Sequence, residues 1–129
     1  MKKIIALLVI LCSLLGFSQN SEKQDHNLLY SLTGLDVKPE FPEGLEKLNA
    51  LIIENMMKDG FEVSALSKIY ATFVIEKDGS ISDIKVLGRI KARKSEALIK
   101  IINSLPKWNP GKQNGTIVRV HYPLAVVGS

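Results

Sequence analysis

Ser104-Leu-Pro106-Lys-Trp108-Asn-Pro110-Gly111-Lys-Gln-Asn114-Gly115-Thr-Ile-Val-Arg-Val120 is the stretch that decides the fold. It holds the only Trp of the chain and two of its five prolines. Pro106 ends any helix before it, because the residue preceding a proline is pushed out of the helical region. Pro110-Gly111 and Asn114-Gly115 are turn signals. From Thr116 to Val127 the residues alternate, with Val118, Val120, Tyr122, Leu124 and Val126 on one face, as in a half-buried strand. The block therefore reads as a helix exit followed by hairpin entry, with Trp108 folded back onto the sheet as a lid on the core.

Upstream of it, Leu98, Ile101, Ile102 and Leu105 recur at helical spacing, and Ser95 is the expected N-cap. Earlier still, Ile69, Ala71, Phe73 and Ile75 alternate with Tyr70, Thr72, Val74 and Glu76, a period of two rich in β-branched and aromatic residues. Asp78-Gly79 is a short hairpin signal, and Ile81 to Leu87 returns as the second strand. Phe41-Pro42-Glu43-Gly44 opens another helix, with Pro42 suited to its first turn. Leu45, Leu48, Ile52 and Met56 form its apolar stripe, widened by Leu51 and Ile53, and Gly60 is its stop. The order helix, strand, strand, helix, strand predicts an α+β fold: a three-stranded antiparallel sheet with two helices packed on one face.

The first residues read differently. Met1-Lys-Lys is a positive start, Ile4 to Leu15 is apolar apart from Cys12 and Ser13, and Gly16-Phe17-Ser18 precedes an expected cleavage before Gln19. This is the pattern of a secretory signal peptide. Ile4 to Phe17 gives only 14 residues, against about 20 for a helix crossing a hydrocarbon core of roughly 30 Å. Lipidation of Cys12 is the competing reading, but bulky Leu11 stands where lipoprotein signals place a small residue. The expected organisation is a signal peptide over 1–18, a flexible lead-in over 19–38 and one domain over 39–129. Leu28, Leu29, Tyr30 and Leu32 add a docking turn to the lead-in. Localisation follows as periplasmic or secreted, with no membrane span remaining after cleavage and, once Cys12 is removed, no disulfide.

Charge is split along the chain. Residues 19–84 carry six Lys and Arg against twelve Asp and Glu, whereas residues 85–129 carry nine against one. The simplest expectation is that the halves pack together with their charges largely solvated; export argues against a nucleic-acid partner. Signals for catalysis are poor. His26 and His121 are far apart, no Cys remains, and the serines lack a nucleophile-elbow pattern. Gly111-Lys112 lacks the spacing of a phosphate loop, and Glu76, Asp78 and Asp83 flank a tight turn as solvated carboxylates. No enzyme activity, metal or cofactor is expected.

Several blocks carry a resemblance. These are Phe41-Pro42-x-Gly44, Phe73-Val74-Ile75-x-Lys77-Asp78-Gly79-Ser80-Ile81, Glu96-Ala97-Leu98, and Leu105-Pro106-Lys107-Trp108-x-Pro110-Gly111-Lys112-Gln113-x-Gly115. In order and spacing they resemble the C-terminal domain of TonB-family energy transducers, over about residues 39–127. The sequence departs from that pattern in Gly88-Arg89, where the family often has Arg-Gly, and in Pro123 preceding Leu124 rather than following it. Pro123 leads to the expectation that the last strand lies at a sheet edge. Family transducers also carry an uncleaved anchor and a long Pro-rich spacer. A lead-in of about 20 residues reaches at most ~70 Å, so a complete energy transducer is not expected.

The resemblance implies recognition by strand addition, in which a partner's extended segment pairs with the open edge of the last strand. The residues concerned are Thr116, Ile117, Val118, Arg119, Val120, His121 and Tyr122, with Arg119 and His121 facing outward to add selectivity. The implied partner is an envelope protein, such as an outer-membrane TonB-dependent receptor, and a proline at Val118 is expected to block pairing. The alternative is a structural periplasmic domain that self-associates through its edges as a homodimer. Lys91, Arg93 and Lys94, just ahead of a helix start where cations are disfavoured, form a candidate patch for an anionic partner.

Overall fold

The computed structural model describes residues 28–64 and 67–128; the expected signal peptide and residues 19–27 lie outside them. Three antiparallel strands form the centre: β2 (Lys68–Ile75), β3 (Ile81–Leu87) and β5 (Thr116–Val127). β2 pairs with β3 on one side and with β5 on the other, from Lys68 opposite Val127 to Ile75 opposite Val120. Two short strands enlarge this sheet. β1 (Leu29–Ser31) runs parallel to β5, and β4 (Gly111–Gln113) forms a hairpin with it. The three-stranded antiparallel expectation is thus corrected to a mixed five-stranded sheet in the order β1-β5-β2-β3, with β4 also on β5.

The turns follow from their residues. Asn114 and Gly115 both have positive φ, 52° and 77°, so the β4–β5 connection is a two-residue turn that matches strand twist. At the other hairpin, the Gly79 N–H donates to the Glu76 carbonyl and the Glu76 N–H donates to Ser80, with Gly79 at φ 85°. That hairpin therefore has a longer loop closed by a glycine bulge rather than a two-residue one. On β3, Asp83 at φ 49° makes a bulge opposite Phe73. A bulge on an outer strand discourages pairing there with another chain.

Helix α1 (Leu45–Lys58) and helix α2 (Ala92–Asn103) lie on one face of the sheet. Leu48, Ile52 and Met56 from α1 and Leu98, Ile101 and Ile102 from α2 join Ile69, Ala71, Phe73 and Ile75 of β2 in a single core. Gly60 ends α1 as expected: the Phe61 N–H donates to Met56 O and the Gly60 N–H to Met57 O, the double bond pattern that closes a helix on a left-handed residue. Both helix starts differ from expectation. Pro42 sits in a turn before α1, whose cap is Gly44 at φ 89°. Ser95 is inside α2, which begins after Lys91 and has no side-chain cap.

The lead-in is also corrected where it is described. Beyond β1, the Val37 N–H and C=O exchange bonds with Lys112, and Glu40 does the same with Asn109. Asp36 clasps the β4–β5 turn: its N–H donates to Gln113 Oε1 at 3.1 Å and its Oδ2 accepts from the Asn114 N–H at 2.7 Å. Residues 36–40 are therefore strapped along the outside of β4.

Trp108 is 3% exposed. Its ring centroid lies 5.5 Å from that of Phe41, 5.7 Å from Phe73 and 5.0 Å from Tyr122, edge-to-face in each case. Phe73 and Tyr122, opposite each other across β2 and β5, stack at 5.6 Å. Offset and edge-on rings match electron-rich faces with positive edges, so the four rings tie the loop after α2 to the sheet. The lid expected at Trp108 is present.

Candidate functional site

Which backbone groups of β5 face outward follows from two residues. Pro123 has no N–H, so its pairing with Thr72 is a non-hydrogen-bonded one, and the polar groups of Pro123 point away from β2. By alternation those of Ile117, Arg119, His121, Ala125 and Val127 do too. Lys112 spends its N–H and C=O on Val37, so its pairing with Ile117 is also non-bonded, and Thr116 and Val118 turn theirs toward β4. β4 and β2 thus lie end to end along the same side of β5.

The opposite side is the candidate edge. β1 covers it at Arg119–His121 in parallel register, Leu29 opposite Arg119 and Ser31 opposite His121. At its far end the Asn49 side chain acts as a short strand substitute. Its Nδ2 donates to Val127 O at 2.8 Å, and its Oδ1 accepts from the Val127 N–H at 2.9 Å. Between these, no described strand faces Pro123 or Ala125, and none faces Ile117 before β1 begins. The expected fully open edge over Thr116–Tyr122 is corrected accordingly: only Ile117, Arg119 and His121 face outward, and β1 occupies the last two of these. A proline at Val118 would break the β4 hairpin, not the outer edge.

Arg119 is no free recognition cation. Its Nε donates to Glu76 Oε1 at 2.6 Å and its Nη2 to Oε2 at 3.2 Å, a two-pronged pair on the solvent side of the sheet. Ser82 Oγ donates to the same carboxylate at 2.5 Å. Glu76 was expected as a solvated carboxylate; it instead joins β5 to the β2–β3 hairpin. This pair, with Lys107–Asp78 at 3.9 Å, also bridges the acidic and basic halves of the chain. His121 is exposed beside β1. Tyr122 faces the core, where burial pushes its phenol above the usual range.

The hydrogen bond from Arg119, followed by that from Ser82, holds the Glu76 carboxyl below its usual value of 4.5. A carboxyl with a depressed folded value contributes stability that is whole above its unfolded value and is lost as pH falls through the folded one. Urea midpoints measured between pH 7 and pH 3 are therefore expected to drop below about pH 4.5. Glu76→Gln removes this component of the drop and costs on the order of 1 kcal/mol at neutral pH. An identical pH dependence in Glu76→Gln would show that the pair contributes nothing.

The basic residues are not assembled into a cleft. Lys91 precedes α2, and the other two lie in its first turn. The Arg93 guanidinium sits 5.9 Å from the Phe61 ring centroid, and Lys94 Nζ donates to Glu62 O at 3.3 Å. Both brace the segment after α1. Beside the β5 edge, by contrast, a cleft of about 440 Å³ is lined by Leu32, Lys38, Phe41, Pro42, Leu45 and Tyr122. Among the described residues no cluster of His, Cys, Asp and Glu is arranged to hold a metal ion, and no helix is long and apolar enough to cross a membrane.

Comparison of the chain with known protein families, with characterised proteins and with solved structures found no match.

Proposed function

We propose that this chain is an exported protein-binding module of the TonB C-terminal kind, which recognises an envelope protein by adding the partner's extended segment to β5. An outer-membrane transport receptor is the partner class that the resemblance favours, with the domain acting as an accessory rather than a complete energy transducer. The observation that carries the reading is the outward row of β5 backbone groups. No described strand lies beside Ile117 or Ala125, and Arg119–His121 already support parallel pairing with β1. Main-chain pairing of this kind gives affinity with little demand on side-chain identity.

The test is affinity capture from envelope extract with residues 19–129, run beside His121→Pro and analysed by mass spectrometry. Pro123 shows that an outward position on this strand accepts proline, so His121→Pro removes one outward donor while leaving the β2 side of the ladder in place. A receptor held by the wild type and lost, or weakened about tenfold or more, in the variant is the expected result. Capture undiminished by His121→Pro in a folded protein would rule out pairing at this edge. Recovery of this same chain alone would favour the self-associating alternative.

A further inference from the structure

We infer that β1 is an exchangeable occupant of the β5 edge, and that the strand it stands in for runs parallel to β5 with apolar side chains at two alternate positions. The inference rests on the strand-addition reading and adds what the edge selects and what must leave first. β1 has only three residues and, among the described strands, pairs with β5 alone. The chain after it is fastened independently, by Asp36 to the β4–β5 turn and by Val37 and Glu40 to the segment 109–112. Between the two lies Gly34, at φ 83° with open space around it. β1 can therefore swing away about this glycine with the strap left in place, taking Leu32 out of its contact with the core.

What β1 presents to the fold defines what replaces it. In the parallel register Tyr30 is opposite Val120, on the helix side, while Leu29 and Ser31 lie on the solvent side. Leu32 packs against the core and lines the cleft beside Phe41, Pro42 and Tyr122. An incoming strand must fill the places of Tyr30 and Leu32, so it carries an aromatic or aliphatic residue at each of two positions separated by one. It also gains where β1 does not. Outward groups at Ile117 and Ala125 flank the three residues that β1 covers, so a strand of five residues or more forms additional backbone bonds and outcompetes the internal one.

Since Arg119 and His121 face β1, Tyr30 is the residue whose own N–H and C=O face β5, and Tyr30→Pro removes that donor. The probe is a synthetic peptide of residues 28–35, Leu-Leu-Tyr-Ser-Leu-Thr-Gly-Leu, titrated into residues 19–129 and followed by amide chemical shifts along β5. Tyr30→Pro is expected to bind it at least about tenfold more tightly than the wild type, in which β1 competes for the site. Ser31→Cys/His121→Cys, oxidised to a disulfide that locks β1 in place, is expected to bind no peptide and to regain binding on reduction. That comparison does not depend on the folding of Tyr30→Pro. Equal binding by wild type and Tyr30→Pro, binding at β5 by the locked protein, or no binding by folded Tyr30→Pro would each overturn the inference. Because the peptide comes from this chain, success does not require an envelope partner. Conversely, a captured receptor bound no better by Tyr30→Pro would remove the exchangeable β1 and leave strand addition standing.

Discussion

Trp108→Ala is expected to cost about 3–5 kcal/mol, the range for truncating a large aromatic in a packed core. Three rings, Phe41, Phe73 and Tyr122, lose their common neighbour together. They come from the segment before α1, from β2 and from β5, so the cavity opens where separate parts of the chain meet and cannot be closed by moving one side chain. In a domain of about 100 residues each kcal/mol lowers the melting temperature by roughly 4–8 °C, so a fall on the order of 15 °C or more should follow. Against a total stability of only about 5–15 kcal/mol, this is a loss of at least about a fifth of what holds the domain folded. Thermal denaturation followed by far-UV circular dichroism measures this directly. The indole N–H is buried without an acceptor among the described residues, so Trp108→Phe, which removes that polar group and keeps an aromatic ring, should recover most of the loss. A melting temperature within a few degrees of wild type for Trp108→Ala would mean that the aromatic cluster does not hold the sheet to the loop after α2.

The second large effect belongs to a residue without a side chain. Gly79→Ala places a methyl group onto the Trp108 carbonyl oxygen, a backbone atom that cannot rotate away. Gly79 also has φ 85°, where a side chain costs roughly 1–2 kcal/mol. In addition, its carbonyl accepts the Trp108 N–H at 2.9 Å, a bond that separates when the two backbones are pushed apart. Together these give an expected loss of about 2–4 kcal/mol. Gly34→Ala is the control, because its φ is 83° but nothing lies within 4 Å of the added methyl. It should lose the conformational term alone. Equal losses in the two variants would show that the close approach to Trp108 adds nothing; a loss for Gly79→Ala well above that for Gly34→Ala is the expected outcome.

These two positions also show what could be read from the sequence. Asp78-Gly79 and Asn114-Gly115 announce their turns through residues that tolerate positive φ, and Gly60 announces the end of α1 in the same way. The core stripes of both helices and the alternation of β2 and β5 are visible because burial imposes their periods. The hidden features are short or distant. β1 and β4 have three residues each, too few for alternation to register, and Pro110-Gly111 beside β4 reads as turn. Parallel pairing of β1 with β5 joins residues about 90 positions apart, and the Glu76–Arg119 pair spans 43. No local pattern encodes either. At the helix starts, Pro42 suits a first turn and Ser95 a cap, but the register set by Leu48 and Leu98 in the core places the first turns elsewhere.

For the candidate edge, Pro123 was the informative residue. It indicated that one side of the strand lacks a donor and must face away from the ladder, which is how the outward row is assigned. That β1 already lies on this row could not be read from the sequence, because Leu29-Tyr30-Ser31 has no feature that distinguishes a strand from a turn.

Photocrosslinking from position 117 in intact envelopes, with position 85 on the solvent face of β3 as control, tests strand addition at β5 most directly. Ile117 turns its backbone to the outer edge just before β1, and its side chain is 40% exposed. Adducts from 117, absent from 85, to an extended segment of an envelope protein, with apolar residues at alternate positions, are the expected result. Adducts only to a second copy of this chain, or equal labelling from both positions, would contradict it.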